Sequence, residues 1–293
     1  MKNSTYIIIG KFNTVIRYIV IVLSVVIIVF PIYWLILTSL RPIEESLSYP
    51  PNFFLNFETV TLKYYTTVLS GKIGSSTNVY GLPTFFINSV IVSGATTILS
   101  VSFSLLAAYS LVRLSFKGRK FISHLILFCY LIPGISLLIP MFTLAVNLKL
   151  NNTLYGIMLF QTAGSLPLGI WFAKAFLKGL PLEVEESAFL DGCNRMQIII
   201  KIVTPLAVPA LVVVGFNTFL GSWNDFILPS ILIDVERWKP LMVGLYLYFN
   251  QNIGLVWGEM MAAAFIALAP VFFIFFYFQK YIVGGLSTGA IKG

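Results

Sequence analysis

YIVIVLSVVIIVFPIYWLILTSL, residues 18–40, is a run of 23 side chains between Arg17 and Arg41 that contains no Asp, Glu, Lys or Arg. Because a helix rises about 1.5 Å per residue, about 20 apolar residues cross the hydrocarbon core of a bilayer. The run is long enough to do so. It therefore predicts a first transmembrane helix at 18–40.

The whole chain has the composition of a membrane protein. Of its 293 residues, 58% are hydrophobic and 10% are charged, whereas an average soluble domain is about 45–50% apolar and about 25% charged. Five further charge-poor stretches are long enough to cross a bilayer. They predict helices at 84–112, 121–144, 153–174, 205–224 and 260–280. We therefore expect an all-α polytopic membrane protein with six transmembrane helices.

A seventh charge-free stretch, Pro240–Gly258, differs from these six. It carries Asn250, Gln251 and Asn252 at its centre, with several glycines around them. Unpaired amides and helix-breaking glycines are unfavourable in hydrocarbon. We expect this stretch to belong to an external loop at 233–258, in addition to a first external loop at 41–83.

The positions of the basic residues predict the orientation. Thirteen of the nineteen Lys and Arg residues fall before the first span, between spans two and three, between spans four and five, or after span six. Lys and Arg are enriched in cytoplasmic loops. Both the N-terminus (1–17) and the C-terminal tail (281–293) are therefore expected in the cytoplasm. The net charge of +8 then reflects topology, so we expect no nucleic-acid partner.

The sequence lacks the residue clusters of an enzyme. Gly10-Lys11 and Gly71-Lys72 are not followed by Ser or Thr, and no G-x-x-x-x-G-K-[ST] phosphate loop occurs. There is one histidine, His124, and the two cysteines, Cys129 and Cys193, lie far apart. We therefore expect no catalytic residues, no metal site and no cofactor bound by this chain.

The longest polar stretch on the predicted cytoplasmic side is GLPLEVEESAFLDGCNRMQIIIKIVTP, residues 179–205, which contains four of the eleven acidic residues. Pro181 suits the first position of a helix, and the acids that follow suit its first turns. Asp191-Gly192 is a turn signal, and Asn194 can cap a second helix. Pro205 predicts a further break. The expected structure is a helix–turn–helix that lies along the membrane surface.

The spacing within this stretch resembles the EAA loop of ABC importer permeases. Glu186-Ser187-Ala188 is followed after three residues by Gly192, after nine more by Ile202, and then by Pro205. The family pattern is E-A-A-x3-G-x9-I-x-L-P. The sequence departs from it at Ser187, where the family has Ala, and at Thr204, where it has Leu.

Other fragments extend the resemblance over nearly the whole chain, in the order found in the maltose-type carbohydrate importers. They are Pro31-Ile32-Tyr33-Trp34, Asn88-Ser89, Ala107-Ala108-Tyr109 with Arg113, Trp223-Asn224, and the ending Gly289-Ala290-Ile291-Lys292-Gly293. The ending is similar to that of the smaller of the two permease subunits. The resemblance implies a type I ABC importer permease fold, with a transmembrane domain at 84–278, in a prokaryotic inner membrane.

The resemblance also implies two contacts with ATP-binding subunits. The first is the coupling loop, where Glu186 makes the polar contact and Gly192 makes the turn; the residues implied are Glu185, Glu186, Ser187, Ala188, Asp191 and Gly192. The second is the C-terminal tail, through Gly289, Ala290, Lys292 and Gly293. The implied partners are a second related permease, two ATP-binding subunits that bind the ATP, and an extracytoplasmic solute-binding protein.

The implied substrate is a sugar, but the sequence leaves three alternatives open. A polyol or a glycerol phosphate fits the same family, and a secondary transporter driven by an ion gradient belongs to a different class. The substrate-binding residues are unknown at this level. Four amides lie within or near spans and either face a cavity or bond neighbouring helices: Asn88, Gln161, Asn217 and Asn224.

Overall fold

The computed structural model describes residues 2–70, 80–251 and 257–290, with side chains at 14–70, 80–247, 250 and 257–281. These residues form thirteen α-helices and no β-strand. The helices are α1 (Lys2–Leu40), α2 (Ile43–Ser46), α3 (Lys63–Ser70), α4 (Leu82–Arg113), α5 (Arg119–Tyr130), α6 (Leu138–Asn147), α7 (Leu154–Leu177), α8 (Glu183–Leu190), α9 (Arg195–Ile198), α10 (Thr204–Trp223), α11 (Ile227–Leu232), α12 (Leu241–Gln251) and α13 (Trp257–Ala290).

Five helical segments are long and apolar enough to cross a membrane, and a sixth span results if one bent pair counts as a single span. The bent pair joins Arg119–Tyr130 to Gly134–Asn147 at an angle of 94°. The sequence had predicted one uninterrupted helix at 121–144. Pro133 precedes the bend with ψ of 123°, outside the helical range, and has no N–H to donate. The predicted third span is therefore broken in two.

The chain divides into two compact units, one of residues 1–78 and 249–266 and the other of residues 79–248 and 267–293. In the first unit, the Arg41 side chain follows α1 and is only 2% exposed. Its guanidinium donates to the Asn52 carbonyl at 2.7 Å and lies over the Trp34 ring at 4.9 Å. These contacts fix the start of the 41–62 segment against the end of α1.

The second unit is built around α4, α7 and α10, which pack against one another along their lengths. Small residues allow the close approach, as is common between membrane helices. A Cβ placed on Gly169 of α7 would lie 2.3 Å from the Ser104 hydroxyl of α4 and 3.1 Å from Val214 of α10. This glycine therefore sits where the three helices meet.

The predicted external loop 233–258 contains a packed helix, α12. Leu241 is fully buried, and its N–H donates to the Ser89 hydroxyl of α4 at 2.8 Å. Gly244 packs closely against the Phe85 ring, where an added Cβ would come within 2.1 Å of a ring carbon. The apolar residues before Asn250 thus pack against α4. The polar residues at the centre of the segment gave no indication of this packing.

Candidate solute cavity and coupling loop

A cavity of about 470 Å³ lies within the second unit, between α4, α6, α7, α10 and α11. Apolar side chains such as Phe160, Leu168 and Phe172 form much of its wall. We call it the solute cavity. The polar groups on its wall are hydroxyls and amides together with one carboxylate: Thr96, Tyr130, Gln161, Ser165, Asn217, Thr218, Ser222 and Asp225.

Gln161 is the centre of a hydrogen-bond network on this wall. Its Nε2 donates to Asp225 Oδ2 at 2.9 Å, and its Oε1 accepts from the Ser222 hydroxyl at 2.6 Å. The Thr96 hydroxyl approaches the same Oε1 at 3.5 Å. The other Asp225 oxygen accepts from the Leu228 N–H at 3.3 Å, at the start of α11. One amide thus links α4, α7 and α10 to the turn before α11.

Hydroxyls continue the network deeper between the helices. The Ser165 hydroxyl of α7 donates to Ser100 Oγ of α4 at 2.8 Å, and Ser100 lies 3.4 Å from the Thr218 hydroxyl of α10. Ser165 and Thr218 both line the cavity. A polyhydroxylated molecule would meet groups that can donate and accept on several sides.

The four amides noted in the sequence divide into two pairs. Gln161 and Asn217 line the solute cavity. Asn88 instead donates to the carbonyls of Arg237 and Lys239, at 2.8 and 3.0 Å, and so ties α4 to the loop before α12. Asn224 is exposed and bonds the Leu220 carbonyl within its own helix. Composition alone could not separate these roles.

The stretch 179–205 folds as two short helices around a sharp turn. The acidic first turn of α8 follows Pro181, and Gly192 adopts a φ of +88°, a conformation that favours glycine. Asn194 and Gln197 form a reciprocal capping box at the start of α9, with N···O distances of 2.9 and 2.8 Å. The turn and the cap set the angle between the two helices.

The two neighbouring glutamates of α8 face opposite ways. Glu185 is 7% exposed, and its carboxylate accepts from Arg113 Nε of α4 at 2.6 Å. The same guanidinium also donates to the Leu180 carbonyl at 3.0 Å. Glu186 is exposed. The family resemblance had grouped both with the ATPase contact, but Glu185 points into its own chain and holds α8 against the end of α4.

A groove of about 490 Å³ runs between α8, α9 and the end of α4. We call it the coupling groove; its charged members are Arg113, Glu185, Glu186 and Arg195. Phe189 and Leu190 stand beside it and are 63% and 87% exposed. Other residues were also predicted to contact the ATP-binding subunit. Of these, Ser187, Asp191 and Gly192 are exposed, whereas Ala188 is buried.

The predicted break at Pro205 does not occur. A π-helical turn at Ile199–Val203 joins α9 to α10, so Arg195–Trp223 is one helical segment. Pro205 falls at the first turn of α10, and the Thr204 hydroxyl bonds the Ile199 carbonyl at 2.7 Å. Pro205 has no N–H to donate, and the π turn before it leads into α10 without a break in the helical segment. One continuous helical segment therefore runs from the coupling groove to the solute cavity.

The predicted C-terminal tail, 281–293, is helical over most of its length, because α13 continues to Ala290. Gly289 and Ala290 fall at the end of this helix. Lys292 and Gly293 lie outside the described residues, so their predicted contact remains a prediction.

Comparison with known proteins identifies the family to which this chain belongs. Residues 100–288 match the family described as the binding-protein-dependent transport system inner membrane component. The chain is 31% identical to the inner membrane ABC transporter permease protein YcjP of Escherichia coli, over 92% of this chain and 94% of that protein. It is 32% identical to the trehalose/maltose transport system permease protein MalG of Thermococcus litoralis, over 93% and 94%.

The fold is that of a solved ABC importer. A chain of a bacterial ABC transporter involved in the import of the acidic polysaccharide alginate superposes with a TM-score of 0.78 at 21% identity, covering 93% of this chain and 97% of that one. The chain is therefore a multi-pass membrane protein that belongs to the family of inner membrane components of binding-protein-dependent transport systems. It has the fold of an ABC importer permease.

Proposed function

We propose that this chain is the permease subunit of an ATP-driven importer that moves a sugar through the solute cavity by alternating access. Relatives named for trehalose and maltose, arabinooligosaccharides and diacetylchitobiose support a carbohydrate substrate. A solute-binding protein delivers the sugar, and separate subunits bind and hydrolyse ATP. The chain itself binds no nucleotide and catalyses no reaction.

The observation that carries the proposal is the unbroken helical segment Arg195–Trp223. Its first turns belong to the coupling groove, and its far end contributes Asn217, Thr218 and Ser222 to the cavity wall. A continuous helix can transmit a displacement at one end to the other. Movement of an ATP-binding subunit against α8 and α9 would therefore move one wall of the cavity directly.

Contact with the ATP-binding subunit is made on the open side of α8. Glu186 is exposed there beside the exposed Phe189 and Leu190. An apolar centre with a charged rim is typical of a surface that binds another protein. The Glu185–Arg113 pair, turned away from that surface, positions the helix that presents it.

A second, related permease completes the pathway in our proposal. The first span is strongly apolar, and its most apolar part is not buried within this chain. Such a helix is available to pack against another membrane subunit. Both termini lie in the cytoplasm in this arrangement, as the basic residues predict.

Charge reversal at the coupling surface tests the proposal. Glu186→Lys, in the complete importer reconstituted in proteoliposomes, should abolish ATP-driven uptake and reduce co-purification of the ATP-binding subunit. Glu58→Lys makes the same charge change at an exposed residue of the 41–62 segment, and it should leave both unchanged. Intact uptake and intact co-purification in Glu186→Lys would overturn the coupling role.

A second experiment separates the two classes of transporter. The chain reconstituted alone should show no solute flux under an ion gradient, because transport requires the ATP-binding subunits. Flux driven by a gradient in that preparation would overturn the ABC mechanism.

A further inference from the structure

One charged side chain faces the solute cavity. Among the residues that line it, Asp225 alone carries a charge, and the remaining polar groups are hydroxyls and amides. Within the described part of the chain, Arg113–Glu185 is the ion pair found, and no Lys or Arg pairs with Asp225. The cavity wall thus contributes a negative charge without a basic counterpart from this chain.

The carboxylate of Asp225 is fixed in place. One oxygen accepts from Gln161 Nε2 at 2.9 Å, and the other accepts from the Leu228 N–H at 3.3 Å. Gln161 is itself oriented by the Ser222 hydroxyl, which donates to its Oε1 at 2.6 Å. The side chain therefore cannot turn away from a passing solute without giving up these bonds.

The surroundings strengthen the effect of this charge. Phe160, Leu168 and Leu228 are among the apolar residues that line the same cavity. Apolar walls lower the local dielectric constant, so a charge acts more strongly than it does in bulk water. A solute with its own negative charge would be repelled, whereas sugar hydroxyls can donate to the carboxylate.

We propose that Asp225 makes the solute cavity selective for uncharged polyhydroxylated solutes and excludes solutes that carry phosphate, sulfonate or carboxylate groups. This inference rests on the proposed function, since it requires that the solute pass through this cavity. It favours a neutral sugar or polyol over the glycerol phosphate that the sequence left open.

The charge at the cavity can be measured with thiol reagents of opposite charge. Cys129 and Cys193, the two native cysteines, are first replaced by serine. Asn217, which is exposed and lines the cavity, is then changed by Asn217→Cys in the complete importer. Modification rates are recorded with the trimethylammonium-ethyl and the sulfonato-ethyl methanethiosulfonates, each divided by its rate with a free thiol in solution.

With Asp225 present, the cationic reagent should have a normalised modification rate at least about five times that of the anionic reagent. The attraction of one reagent and the repulsion of the other both raise this ratio. Asp225→Asn keeps the shape and removes the charge, so the ratio should fall towards one. Asp225→Glu keeps the charge and should keep the preference. Ser115→Cys, at an exposed position of the loop between α4 and α5, gives a control ratio that Asp225→Asn should not change.

The outcomes separate this inference from the function beneath it. A ratio near one with Asp225 present, or one unchanged by Asp225→Asn, overturns the charge selectivity and leaves the coupling mechanism standing. A cysteine at 217 that reacts with neither reagent in any nucleotide state overturns the solute cavity as the pathway, and the selectivity with it. The Glu186→Lys experiment reports separately on coupling to ATP.

Discussion

The solute cavity and the coupling groove are nearly equal in volume, about 470 and 490 Å³, yet they differ in chemistry. The cavity is lined by apolar groups, hydroxyls and amides with one acid, whereas the groove has two arginines and two glutamates. In our proposal, charges are concentrated beside the surface that contacts the ATP-binding subunit and are nearly absent where the solute passes. The helical segment Arg195–Trp223 contributes to both.

The largest effect is expected in the coupling groove, from Arg113→Ala. The Arg113 and Glu185 side chains are 11% and 9% exposed, so the substitution leaves a buried carboxylate without its partner. We expect a loss of about 3 kcal/mol in the stability of the complex, with ATP hydrolysis no longer coupled to uptake. Thermal unfolding together with ATPase and uptake assays would measure both.

Glu183→Ala provides a control, because it removes an exposed glutamate from α8, the helix that carries Glu185, and should leave stability within about 0.5 kcal/mol. Equal losses of stability and of coupled uptake in Arg113→Ala and Glu183→Ala would contradict the positioning role of the buried Arg113–Glu185 pair.

The next effect is expected at the cavity, from Gly169→Ala. The added methyl would lie 2.3 Å from the Ser104 hydroxyl and 3.1 Å from Val214, so the Ser104 side chain must turn and the helices must adjust, at a loss of about 2 kcal/mol. Gly164 lies on the same helix and lines the same cavity, and a methyl group added there would have no neighbouring atom within 4 Å. Gly164→Ala should therefore be tolerated, and comparable thermal shifts for the two variants would contradict the packing described for this junction.

A smaller effect is expected within the cavity network, from Ser222→Ala. The substitution removes the donor that orients Gln161 and should lower stability by about 1 kcal/mol. It should also raise the KM for uptake, because Gln161 and Asp225 lose their fixed arrangement. Ser102→Ala removes an exposed hydroxyl bonded only to its own helix, and an equal rise in KM there would argue against the network.

The smallest effect is expected at the turn of the coupling loop, from Asn194→Ala. The change removes one half of the capping box and should lower stability by about 0.5 kcal/mol, since this cap is exposed. Coupling should weaken more than stability, because the angle between α8 and α9 becomes less defined. Uptake per ATP hydrolysed is the measurement, and the control is Ser102→Ala, which removes an exposed hydroxyl outside the coupling loop. An unchanged ratio would show that the cap has no part in coupling.

The sequence predicted spans better than it predicted their interruptions. The stretch 84–112 differs by only a few residues from α4, Leu82–Arg113, because absence of charge over 20 or more residues is a strong constraint in a bilayer. Pro133 and Pro205 look alike in sequence, yet one breaks a span and the other sits in a continuous helix. A π turn precedes Pro205, whereas Pro133 has a ψ of 123°, outside the helical range. Composition encodes neither local geometry.

The helix–turn–helix at 179–205 was predictable from its turn and cap residues, but the direction of its side chains was not. Glu185 and Glu186 are adjacent and chemically identical, and only the packing of α8 against Arg113 distinguishes them. The same holds for the four amides, of which Gln161 and Asn217 reach the cavity. Tertiary contacts between residues 64 or more positions apart, such as Gln161 with Asp225, decide these roles.

The central claim is that movement of α8 and α9 at the coupling groove moves the wall of the solute cavity. It is tested most directly by the accessibility of residue 217 to a thiol reagent. In the complete importer with Asn217→Cys and no other cysteine in this chain, an impermeant thiol reagent is applied from the side of the solute-binding protein. We predict that labelling is about tenfold faster in the ATP-bound, hydrolysis-arrested complex than in the nucleotide-free one, and that Glu186→Lys removes the difference. Equal labelling rates in both nucleotide states, with uptake intact, would contradict the account.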